Sequence, residues 1–141
     1  MVAESLFDAV GGMDGIARVH RIFYDKLLSH PWLKAFFVGM PRPHLESQQT
    51  KFMAGLFGGP KVYGGRPPAT AHVHMFITEE VFFTRHILLE EALDEARVPD
   101  NLKERWLDQD MGMKNALVKN DISECEGRYK TEPIIVVEKP T

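Results

Sequence analysis

Two histidines stand one residue apart in the stretch Ala71-His72-Val73-His74. An imidazole can ligate a metal or carry a proton, but an isolated histidine is ordinarily just solvated or hydrogen-bonded. On a strand a His-x-His pair could hold zinc. On a helix the two side chains point roughly 200° apart and cannot share one ion, and no third or fourth ligand follows at nearby helical spacing. One of the pair can still act as a single axial ligand. Two further residues invite attention. Tyr24 follows Phe23 on a stripe that faces inward, where a tyrosine usually finds a hydrogen-bond partner. Gln49 interrupts an apolar helical face, and a buried amide without partners costs about 1–3 kcal/mol. Tyr24 and Gln49 therefore either satisfy each other or both aim at a bound ligand.

Helices must position these residues, because helical periodicity dominates the chain. Residues 4–10 form a short first segment ended by Gly11-Gly12. Asp14 reads as the N-cap of a second helix, whose stripe Ile16, Val19, Phe23 and Leu27 recurs at i, i+3, i+7 and i+11. Pro31 follows it, and Trp32, Leu33, Phe36 and Phe37 fit a short helical or 3₁₀ turn. A third helix spans residues 44–57, with Leu45, Gln49, Phe52, Met53 and Leu56 on one face, and Gly58-Gly59-Pro60 stops it. Pro67-Pro68 suits the first turn of a short helix over 69–76. Thr78 caps a long helix to about residue 96, and Pro99-Asp100 separates it from a last helix over 101–119. The tail is polar up to Lys130 and then holds four β-branched residues at 134–137, which favour an extended conformation. No partner strand is evident, so the tail is ordered only if it packs along the body or a neighbour.

Composition excludes several classes. The chain has 141 residues, enough for one domain with a real core. Its 20 acidic and 17 basic residues give a formal charge of −3, without the basic excess of a nucleic-acid binder. No apolar run approaches the ~20 residues that span a bilayer. Residues 1–5 lack the basic start and apolar core of a signal peptide. The single cysteine, Cys125, leaves no intrachain disulfide and no multi-cysteine metal site. The reading is of a reduced, cytoplasmic protein, monomeric or weakly dimeric. Haem remains within reach of such a chain. It needs one protein ligand, an apolar slot and a few polar groups at its edge.

In order and spacing, Gly11-Gly12, Phe23-Tyr24, Phe36-Phe37, Leu45-x-x-x-Gln49 with Phe52, Gly58-Gly59-Pro60-x-x-Tyr63-x-Gly65, Ala71-His72 and Ile77-Thr78 resemble the truncated haemoglobins, group I. The resemblance covers about residues 5–119 and runs without a gap from Phe23 to Phe82. It implies an all-α fold, a two-over-two helical sandwich enclosing haem b, over residues 1–120. The tail at 121–141 is no part of the pattern. The resemblance also assigns roles. His72 matches the proximal ligand of the iron. Phe37 matches the phenylalanine stacked on the haem face. Tyr24 matches the distal donor to O₂, with Leu45 and Gln49 at the ligand-facing positions of the distal helix. Phe52 and Met53 match the lining of the inner pocket or its apolar channel. Tyr63 looks like the loop tyrosine near a propionate, with Arg66, His74 and Gln48 as further propionate partners.

The function so implied is reversible binding of O₂ or another diatomic gas. Related redox activity extends to NO dioxygenase-like or peroxidase-like chemistry. Either needs an external reductase, since the chain carries no dinucleotide or flavin fingerprint. The alternative is a haem-free helical module for sensing or partner binding, with Tyr24 and Gln49 as a structural pair. A Soret band separates the two. The sequence departs from the pattern at three residues. Arg85 and His86 fall where small apolar residues are normal. A buried, unpaired arginine is untenable, so Arg85 must reach a propionate or the helix must shift by one residue. His20 replaces an apolar, channel-lining residue one turn before Tyr24.

Overall fold

The computed structural model describes residues 4–127 and 132–140. The expectations for residues 1–3 and for the polar stretch at 128–131 lie outside them. Seven α-helices and two 3₁₀ turns follow one another along the described residues. α1 (Leu6–Ala9) is capped by the Ser5 hydroxyl, which accepts from the Asp8 amide. The chain then turns sharply, with Gly11 at φ 96° and Gly12 at φ 67°. These left-handed values favour glycine, which has no Cβ to clash. α2 (Gly12–Ser29) therefore starts earlier than expected, with Gly11 as N-cap and Asp14 inside its first turn. Gly15 is equally constrained, because a Cβ there would lie 1.9 Å from the Val10 carbonyl oxygen.

The stripe on α2 behaves as its spacing predicts. Ile16, Val19, Phe23 and Leu27 are all buried. α2 packs on α3 (Arg42–Leu56), and α2 also packs against α5 (Glu79–Glu95), which in turn packs on α6 (Asp100–Met111). This is the two-over-two arrangement that the resemblance implies. Each fully buried Leu, Ile, Val or Phe in this core contributes about 1.5–3 kcal/mol. α3 begins two residues before His44, with Pro43 in its first turn. Leu56, expected on its apolar face, is exposed. Thr78 caps α5 as expected, its hydroxyl accepting from the Val81 amide at 3.2 Å. The last predicted helix breaks at Gly112 and Met113, leaving α7 (Lys114–Leu117).

The largest correction concerns residues 69–76. α4 (Pro68–Ala71) ends before His72. Met75 is instead extended and forms a parallel bridge with Ile135 of the tail. The Ile135 amide donates to the His74 carbonyl at 2.8 Å, and the Phe76 amide donates to the Ile135 carbonyl at 2.9 Å. The tail thus finds a partner that sequence inspection did not reveal. Further along, the Trp32 indole donates to the Val137 carbonyl at 3.2 Å, and Lys139 pairs with Glu80. Ile135 and Val137 pack on the core, while Val136 faces outward. That alternation is what a strand-like segment of period two requires.

Candidate functional site

α2, α3, the 3₁₀ turn at Leu33–Phe37, the segment after α4, and α5 enclose a cavity of about 400 Å³. Its walls are mostly apolar. Phe23, Leu27, Leu33, Phe36 and Phe37 contribute from one side, and Ile77, Val81, Phe82 and Leu117 from another. A set of polar side chains interrupts this apolar lining, Tyr24, Gln49 and His72 among them, and an apolar lining with placed polar groups is the ordinary make-up of a cofactor pocket.

His72 lines this cavity. Its Nδ1 lies 2.8 Å from the Pro68 carbonyl oxygen, which can only accept. Nδ1 therefore carries the proton, and the Nε2 lone pair is left available. A backbone carbonyl on the other ring nitrogen is the usual means of fixing the tautomer of a metal-bound histidine. Burial holds the His72 imidazole below its ordinary pKa, although the Pro68 bond opposes this, and the charges of Lys119 and Arg85 act in the same direction as burial. A neutral imidazole of fixed tautomer on an apolar wall fits an axial ligand. The backbone beneath it is anchored as well. Lys119 Nζ donates to the carbonyls of His72 at 2.6 Å and Met75 at 2.9 Å. The Lys119 amide donates to the Ile77 carbonyl at 2.8 Å, and the Glu126 amide to that of Val73 at 2.9 Å.

His74 also lines the cavity, because the helix ends at Ala71 and the 200° separation does not apply. His74 is buried, whereas His72 is only half-buried and meets the Pro68 carbonyl through Nδ1. Among the described residues no group of three or more His, Cys, Asp or Glu could hold an ion.

Tyr24 and Gln49 both line the cavity, from α2 and α3. Tyr24 is 6% exposed, and its ring meets the edge of Phe37 at 6.1 Å. Burial pushes its hydroxyl up to about 12, with Arg85 opposing and Glu46 assisting, so the proton stays on at neutral pH. No hydrogen bond joins Tyr24 to Gln49 among the described residues, so the mutual pairing left open by the sequence is not made. Leu45, Gln48, Phe52, Tyr63 and Arg66 complete the same cavity. The Tyr63 hydroxyl donates to the Arg66 carbonyl at 2.7 Å, and its ring packs on Phe52 at 5.3 Å. Met53 lies behind this wall in the core and does not line the cavity.

Both departures on α5 find a physical account. Arg85 Nη2 donates to both oxygens of Asp110 at 2.6 Å, and His86 Nδ1 donates to Asp110 Oδ2 at 2.6 Å. Arg85 thus has a protein partner and needs neither of the two expected remedies. Burial pushes the Asp110 carboxyl up, but the Arg85 charge and the His86 bond outweigh it and hold the group below its usual range. His20 shares a 2.8 Å hydrogen bond with the Thr50 hydroxyl and meets Trp106 edge-on. Burial lowers its pKa to about 3, against the charge of Asp110, so it is a neutral core histidine rather than a cavity residue. Sequence reasoning missed Asp110, Thr50 and Lys119. An arginine on a buried helix face does demand an acid, and Trp106 with Asp110 forms the buried face of α6 at i, i+4 spacing.

Comparisons with known proteins bear on the family and the fold. Residues 5–119 match the model of the bacterial-like globin family. A group 1 truncated hemoglobin from Mycolicibacterium paratuberculosis is 34% identical over 95 residues, covering 67% of this chain and 70% of that protein. One from Tetrahymena thermophila is 30% identical over 98 residues, covering 70% and 81%. The crystal structure of a truncated hemoglobin from Tetrahymena pyriformis in its Fe(III) form superposes with a TM-score of 0.77 at 25% identity, covering 83% of this chain and all of that one. The chain belongs to the bacterial-like globins, as a truncated haemoglobin with the two-over-two fold, and that family implies a haem-binding globin.

Proposed function

We propose that this globin holds haem b in the cavity through His72 and reversibly binds O₂ or another small gas beside Tyr24 and Gln49. The observation that carries the reading is the His72 imidazole, neutral and fixed in tautomer by Pro68, on the wall of an apolar cavity. When bound, haem supplies an iron with an open coordination position for a gas. The protein does the rest. Phe37, Phe52 and Leu45 exclude water from the cavity, and Met53 supports that wall from behind. Tyr63 shapes the loop at the cavity's rim, where Arg66 and Gln48 would meet the propionates, with His74 of the same cavity lining as a further propionate partner. Tyr24 keeps its proton and donates it in a hydrogen bond to a ligand that takes on negative charge, with Gln49 as the second donor. Charge-assisted bonds of this kind are about twice as strong as neutral ones.

NO dioxygenase-like or peroxidase-like turnover would draw electrons from a reductase outside the chain. Among the described residues no helix is long and apolar enough to cross a membrane. We read the protein as cytoplasmic, and as a monomer or weak homodimer. The test is an absorption spectrum of the purified chain before and after addition of haemin. A Soret band with one haem per chain, shifted by O₂ or CO after reduction, supports the reading. A chain that stays colourless with excess haemin overturns it in favour of a haem-free module.

A further inference from the structure

Arg85 combines an ion pair with a place on the cavity wall. It stands on α5, lines the cavity together with Tyr24, and its side chain keeps 20% of its surface accessible. The central carbon of the guanidinium stands over two aromatic rings, 5.0 Å from the Phe82 centroid and 5.9 Å from that of Phe23. Both rings also line the cavity. Asp110 takes two bonds from a single nitrogen, Nη2, and is itself only 2% exposed. Nε is buried without an acceptor. The carboxylate therefore engages one corner of the group, while the residue as a whole lines the cavity. The Tyr24 hydroxyl experiences Arg85 as a positive neighbour that opposes the effect of burial. An arginine offers five donors in a rigid fork and is always charged. Fixed by two rings and by Asp110, which His86 holds in turn, it needs little reorganisation to meet an anion.

We propose that Arg85 is a specificity-determining residue of this cavity, which makes it favour small monoanions, such as azide or nitrite, over neutral ligands of the same iron. Asp110 and His86 act as positioning residues for it. The inference rests on the haem-binding reading above and names the ligand class of that site.

The experiment is an equilibrium titration of the ferric holoprotein with azide and, separately, with imidazole, followed by absorption. Arg85→Gln removes the charge while keeping a donor for Asp110. The double variant Arg85→Leu with Asp110→Asn removes both charges, so that no buried ion is stranded if the single variant folds poorly. Arg85→Lys keeps the charge. Azide affinity falls about tenfold or more in the two neutral variants, for a charge acting across a few ångströms of protein. Imidazole affinity changes by less than about threefold. Arg85→Lys retains most of the azide affinity. Equal weakening of both ligands means the cavity has merely been reshaped and overturns the proposal, as does unchanged azide binding in both neutral variants. A wild-type chain that takes up no haem overturns the functional reading itself, whereas a red protein indifferent to Arg85 overturns this inference alone.

Discussion

Replacing Tyr24 by phenylalanine removes one oxygen atom from the cavity and leaves the ring that meets Phe37. The hydroxyl makes no hydrogen bond to the described residues, so its loss strands no protein partner. Its pKa near 12 keeps it a donor throughout the neutral range. A hydrogen bond to a charged partner is worth roughly 1.5–3 kcal/mol. Losing it from the O₂-bound state should speed O₂ release by about one to two orders of magnitude, at ~1.4 kcal/mol per tenfold. Carbon monoxide carries little charge when bound, so its release should change far less. Gln49→Leu acts in the same direction, and the double variant less than additively, because both donors share one ligand. Stopped-flow O₂ and CO dissociation rates of the four proteins measure this. Equal acceleration for both gases would mean that the cavity had simply opened. Unchanged O₂ release would make Tyr24 a structural residue and refute the reasoning.

Three further outcomes follow from the same geometry. Asp110→Ala strands the Arg85 guanidinium and should cost about 3–5 kcal/mol, whereas Arg85→Met with Asp110→Leu should cost much less. Urea midpoints compare them, and equal losses would mean that the pair is incidental. His20 has a folded pKa of about 3, below the ordinary 6.5, so the unfolded chain binds its proton first. Its contribution to stability is complete above pH 6.5 and is lost as pH falls toward 3, at about 1.4 kcal/mol per pH unit. His20→Gln should flatten the measured pH dependence by that slope, and an unaltered slope would show that His20 is not neutral in the fold. Truncation after residue 127 removes Ile135 from its bridge to the segment carrying His72. Haem transfer to an acceptor apoprotein should then become faster, and an unaltered rate would show that the tail does not brace that segment.

The parts of this fold that were legible in the sequence depend on local pattern. The stripe of α2 predicts its own burial, and Thr78 predicts the start of α5, because periodicity and capping act within one or two turns. The 69–76 segment was misread for the opposite reason. Its residues look helical locally, but Ile135, some sixty residues later, takes the backbone bonds of His74 and Phe76. Asp14 was a reasonable N-cap until Gly11 entered the left-handed region and moved the helix start. In the site, Tyr24, Gln49, Phe37, Phe52, Leu45, Tyr63 and His72 all reach the cavity from positions marked by order and spacing. Met53 shares α3 with Leu45, Gln49 and Phe52 but lies in the core and does not line the cavity. Arg85 was recognised as anomalous, yet its partner lies 25 residues away on another helix. The i, i+4 spacing of Trp106 and Asp110 marks a buried face on α6, but packing decides that this face meets Arg85.

The central claim is that His72, and not its neighbour His74, ligates the haem iron. His72→Gly and His74→Gly proteins reconstituted with haemin, with and without imidazole, test it directly. The account predicts that only the His72 variant loses stable haem, and that imidazole supplied in solution restores its ferric spectrum. A His74 variant that loses haem and is rescued by imidazole, beside a His72 variant that stays red, would contradict it.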